Sequence, residues 1–120
     1  MNRENKHELG NGYEELAASF LKKNGLQILE KNFRCRLGEI DLIARDKGCL
    51  VFVEVKFRRY AKAGNALEAV DYRKQRKISR VSGYYLLTHV HRTDIPCRFD
   101  VVGIDGQQIH WIKNAFDYCD

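Results

Sequence analysis

Hydrophobic and polar positions alternate most clearly between Glu39 and Phe57. The run Leu50-Val51-Phe52-Val53-Glu54-Val55-Lys56-Phe57 is rich in β-branched and aromatic residues, which predicts a largely buried strand. Successive side chains of a strand take opposite faces, so Val51, Val53, Val55 and Phe57 share one face and Leu50, Phe52, Glu54 and Lys56 the other. Upstream, Ile40, Leu42 and Ala44 alternate in the same way with Glu39, Asp41 and Ile43. Asp46-Lys47-Gly48 accepts the backbone angles of a reversal, so the two runs form a hairpin. Closing it there brings Asp41 and Glu54 to the same end of the paired strands, with Lys56 beside Glu54.

The flanking pattern supplies the other elements. Leu9, Tyr13, Leu16, Ala17, Phe20 and Leu21 fall at helical spacing and predict an amphipathic helix over about 8–24, closed by Lys22, Lys23 and Gly25. Glu14 lies on the margin of its apolar face. A short strand follows within 26–33, centred on Ile28 to Glu30, and Gly38 lets the chain kink before Asp41. Beyond the hairpin, Arg58 to Asn65 has no periodicity and reads as a basic loop, with a short helical turn over Ala66 to Val70. Asp71 is placed as the N-cap of a helix over about 72–88. The buried stripe of that helix, Ile78, Val81, Tyr85 and Leu86, runs back onto Lys74 and Gln75, so its first turn faces inward with polar groups. Arg73, Arg76 and Arg80 read as a solvated face. Arg98 to Ile104, the turn Asp105-Gly106, and Gln108 to Ile112 form a second hairpin, one strand of which lies beside the first sheet. Asp100 follows Arg98 on one face, which predicts an ion pair or an edge position. The tail from Asn114 to Asp120 tucks onto the domain or meets a second subunit. The expected fold is a single α/β domain over 1–120, a central mixed β-sheet flanked by helices in the order α-β-β-β-α-β-β.

Composition adds bounds rather than detail. The 120 residues are 44% hydrophobic, enough for one modest core. Lys and Arg number 21 against 16 Asp and Glu, a net charge of +5, compatible with a polyanionic partner. No signal peptide or apolar run of spanning length is read, so cytoplasmic residence and no membrane are expected. Cys35, Cys49, Cys97 and Cys119 show no zinc spacing and are read as packing residues. His89-x-His91 is read as a surface pair.

Two carboxylates and a lysine among apolar neighbours need an explanation, because a buried charge is costly unless paired or bound to metal. Hard oxygen donors suit Mg²⁺ or Mn²⁺. The plainer alternative is the solvated end of a half-buried strand.

An acid, twelve residues, then E-V-K on two strands after a glutamate-bearing helix resembles the PD-(D/E)XK nuclease superfamily. The runs G-Y-E-E-L-A-A, N-F-R-C-R-L-G-E-I-D-L-I-A-R-D, V-F-V-E-V-K-F-R-R, K-Q-R-K and C-R-F-D-V-V, in order over roughly residues 8–117, resemble the YraN-like family, small bacterial proteins similar to archaeal Holliday-junction resolvases. The resemblance implies a restriction-endonuclease-like core and metal-dependent DNA cleavage, on branched or otherwise structured DNA. It implies that Asp41, Glu54 and the Val55 backbone carbonyl hold Mg²⁺ (or Mn²⁺). Lys56 then positions the attacking water or stabilises charge, Glu14 supports a second ion or the water shell, and Gln75 orients the site. Arg58, Arg59, Lys62, Lys74 and Lys77 are the expected phosphate contacts, and two-fold junction cleavage requires a homodimer. A nucleic-acid-binding module without cleavage and a protein-interaction scaffold of the same fold are the competing readings.

Overall fold

The computed structural model describes the backbone of residues 3–58, 70–106 and 108–119, with side chains from Gly12 onward except that of Arg58. Helix α1 (Arg3–Lys23) precedes three antiparallel strands, β1 (Gln27–Cys35), β2 (Gly38–Asp46) and β3 (Cys49–Arg58). Helix α2 (Tyr72–Tyr85) is extended by a π-helical turn over Leu86–Val90. A hairpin of β4 (Cys97–Asp105) and β5 (Gln108–Phe116) completes the chain. All five strands form one sheet in sequence order, and β3 and β4 run parallel. Parallel neighbours cannot be joined by a tight turn, and α2 lies on the crossover between them. This is the mixed α/β architecture and element order expected from the alternation.

Each face of the sheet buries a separate apolar layer. Ala17, Ala18 and Leu21 of α1 pack on Leu42, Ala44, Val51, Val53, Val102 and Ile104. Ile78, Val81 and Tyr85 of α2 pack on Ile43, Leu50, Phe52, Phe99 and Val101. Central strands covered on both sides read as continuous apolar runs, as β3 does. Cys119 N–H donates to Ser79 Oγ at 3.1 Å, so the tail does tuck onto the domain, against α2.

Two expectations need correction, and a third is met by one of its alternatives. The first helix begins at Arg3, running through Gly10 and Gly12, whose poor intrinsic propensity concealed its start. Ile40 does not share a face with Leu42 and Ala44, because it packs in the α2 layer and they pack in the α1 layer. The strict period of two breaks where Asn32, opposite Asp41 in the β1–β2 register, takes a left-handed φ of 54°. Asp100 is ion-paired as expected but is not at an edge. It is 0% exposed on β4, between β3 and β5, and accepts bonds from Arg98, from Trp111 Nε1 at 3.0 Å and from Asn114 N–H at 2.9 Å. The basic loop through Arg59 and Lys62, and the helical turn apart from Val70, lie outside the described residues.

Candidate active site

The β2–β3 ladder ends at the pair Leu42–Val53. One step further, where Asp41 and Glu54 come level, a side chain takes over the bonding. Val55 N–H donates to Asp41 Oδ2 at 2.8 Å. A strand N–H that loses its cross-strand carbonyl must find another acceptor, and the Asp41 carboxylate serves. This bond fixes Asp41 at the point where the two strands part. Opposite it, Asn32 occupies a conformation that Asn adopts more readily than most residues.

The surrounding charges are arranged about Asp41. Glu54, 6% exposed, lies on the α2 face of β3. Lys56 Nζ from the same strand stands 3.7 Å from Glu54 Oε1, and Lys74 Nζ from α2 stands 3.9 Å away. Burial, and then the charge of Asp41, push the Glu54 carboxyl up to about 8 despite both lysines. Glu14 approaches Asp41 from α1, and burial followed by the Asp41 charge raises it to about 7. The Asn32 side chain, close to Glu14, works against that rise. Glu14 Oε2 is buried and has no hydrogen-bond partner among the described residues. Glu14, Asp41 and Glu54 therefore form a row with Asp41 in the middle.

Among the described residues, no three His, Cys, Asp or Glu side chains form a ready-made cage for a metal ion. The donors present are carboxylates on neighbouring strands and the adjoining backbone oxygens. That limited set is the kind Mg²⁺ uses, since it keeps several of its waters.

The remaining expected residues are only partly assembled here. Gln75 Nε2 donates to the Val70 carbonyl at 3.0 Å, tying the start of α2 to the segment before it. Lys74, expected among phosphate contacts, belongs to the acid cluster through Glu54. Lys77 lines an open cleft of about 330 Å³ with Arg34, Cys35, Gly38, Glu39, Lys74 and Ile78. Gly38 lines that cleft with a φ of 142°, and a Cβ there would lie 3.3 Å from Val81 Cγ2. The side chain of Arg58, and Arg59 and Lys62 entirely, lie outside the described residues. Sequence reasoning missed Asn32, whose only signal was an asparagine inside a strand-like run, where that residue is depleted.

Residues 13–104, which contain Glu14, Asp41, Glu54 and Lys56, match the family described as Uncharacterised protein family UPF0102. A UPF0102 protein of Lachnoclostridium phytofermentans is 50% identical over 113 residues, 94% of this chain and 96% of that protein. One from Legionella pneumophila is 45% identical over 112 residues (92% and 95%), and one from Pseudomonas syringae is 39% identical over 122 (98% and 99%). The similarity thus extends over both helices, all five strands and the acid row between them, and the chain belongs to the UPF0102 (YraN) family.

Proposed function

We propose that this protein is a metal-dependent endonuclease that hydrolyses phosphodiester bonds in branched or otherwise structured DNA. The observation that carries this reading is Asp41, pinned by Val55 N–H between Glu14 and Glu54, with Lys56 at the edge of Glu54. Setting one buried and two half-buried carboxylates side by side destabilises a fold, and nothing in the packing requires it. A divalent cation would relieve the repulsion and satisfy the orphaned Glu14 oxygen, so the residues present fit Mg²⁺ or Mn²⁺.

In this reading Asp41, Glu54 and the Val55 backbone carbonyl hold the ion, and Glu14 supports a second ion or the bound waters. When bound, the ion supplies Lewis-acid stabilisation of phosphoryl oxygens and lowers the pKa of water. Lys56 orients the attacking water or takes up charge developing on the phosphate. Gln75 acts at one remove by holding the first turn of α2, from which Lys74 reaches the site. The resemblance to the PD-(D/E)XK superfamily points the same way.

The test is cleavage of labelled single-stranded, duplex, flap and four-way-junction DNA with Mg²⁺ or Mn²⁺, beside Asp41→Asn and Glu54→Gln. Metal-dependent cutting lost in both variants is the expected result. A wild type that cuts nothing, or variants that cut equally well, would overturn it.

A further inference from the structure

The arginines of α2 that the amphipathic pattern assigns to solvent are not spread over a flat surface. Arg73, Arg76, Lys77 and Arg80 line a groove of about 380 Å³. Arg76 lies over the ring of Tyr72, 5.9 Å from its centroid, and its Nε is buried without a partner among the described residues. Tyr72 itself is 62% exposed. The first turn of α2 carries no acid, although cations there oppose the positive end of the helix dipole. No described acid pairs with Arg73, Arg76, Lys77 or Arg80. Four cations without an acidic partner among the described residues, lining one concave groove, offer a site to an anion.

The groove also leads somewhere. Lys77 lines both it and the 330 Å³ cleft, and Lys74 in that cleft contacts Glu54. We propose that the α2 groove, with Tyr72 as a stacking platform, binds a single-stranded polynucleotide and leads it into the cleft beside Glu54. An exposed aromatic beside a basic groove is the usual means of holding unpaired strands, since a side chain can stack only on a base face that no neighbouring base covers. The cleft has the volume of a small-ligand pocket, fit for one nucleotide rather than a helix. What the track serves rests on the nuclease reading; the track itself does not depend on cleavage.

The experiment is fluorescence anisotropy of the full chain with labelled oligo-dT, oligo-U and a duplex of equal length, in chelator so that no cleavage intervenes. The Arg73→Gln/Arg80→Gln double variant should lower the slope of log affinity against log salt by about 1.4 on single strands, roughly 0.7 per lost phosphate contact. Tyr72→Ala should weaken single-strand binding about tenfold and leave that slope unchanged. Binding of either single strand supports the track, and their ranking shows whether the DNA or the RNA strand is preferred. An unchanged slope in the double variant, a duplex bound as tightly as single strands, or equal competition by polyglutamate would overturn it. Cleavage that ignores all three substitutions would remove the track and spare the nuclease. Binding that depends on them in a protein that cuts nothing would do the reverse.

Discussion

Replacing Glu54 by Gln should make the metal-free protein more stable while ending any metal-dependent cleavage. A carboxyl whose pKa is raised on folding is protonated more readily in the native than in the unfolded chain. Stability therefore falls as pH rises from the ordinary value of 4.5 to the folded value of about 8, and is constant outside that window. At pH 7 the cost is about 3 kcal/mol, two and a half pH units at about 1.4 kcal/mol each. Gln is nearly isosteric with the protonated acid and escapes this cost. The variant should match wild type near pH 4.5 and exceed it by about 3 kcal/mol at pH 7, roughly 10 °C in Tm for a domain of this size. Glu14 adds its own decline, ending at about pH 7, but it is present in both proteins and cancels to first order.

Urea unfolding at several pH values in chelator measures the difference directly. Adding Mg²⁺ should then stabilise wild type by about 2.7 kcal/mol at a hundred times its Kd, and the variant far less. A variant that is less stable at pH 7, or a gap that does not widen with pH, would show that Lys56 and Lys74 already neutralise Glu54. The acid row would then be an ordinary ion-pair cluster with no call for a cation.

Other substitutions read out neighbouring parts of the same arrangement. Asp41→Ala leaves Val55 N–H without its acceptor and should cost about 1–3 kcal/mol in denaturant melts, whereas Asp41→Asn keeps an acceptor oxygen and should cost less. Gly38→Ala must adopt a φ of 142° and press on Val81, so a loss of about 1–3 kcal/mol in thermal stability is expected. Asp100→Leu leaves Arg98 with only Asp46, 2.9 Å away, and strands Trp111 Nε1; about 3–5 kcal/mol should be lost in urea melts, with the pH dependence assigned to Glu54 unaltered. Asn32→Gly relieves the left-handed residue but removes the side chain that holds Glu14 down, and the Glu14 carboxyl should titrate higher than about 7 by NMR.

Alternation made most of this fold legible, because each half of β3 obeys it. Val51 and Val53 face α1, Leu50 and Phe52 face α2, and Glu54 then falls beside α2 by position alone. Asp41 could be placed level with Glu54 from the length of the turn. Its orientation could not, since a period of two puts Asp41 with Ile43 and separates Ile40 from both. The structure reverses Ile40 instead, beside the left-handed Asn32 on the neighbouring strand. A contact between residues nine positions apart on different strands leaves no periodic trace in either. Lys74 is legible by contrast, since the apolar stripe of α2 runs back onto it and turns it inward; only its partner, Glu54, requires the docked helix.

These failures of local rule fall together at one place. The ladder ends after Leu42, the only left-handed residue within β1 lies opposite Asp41, and the glycine with a φ of 142° lines the cleft beside Lys74. A fold selected for stability alone would continue the ladder one more pair and fill the row with valine. Here a side chain completes the backbone bonding so that the strands can part, and the space between them is given to acids rather than apolar groups. Departures from consistency that cluster in this way are expected where structure has been traded for chemistry. The stability gained by Glu54→Gln would measure the size of that trade.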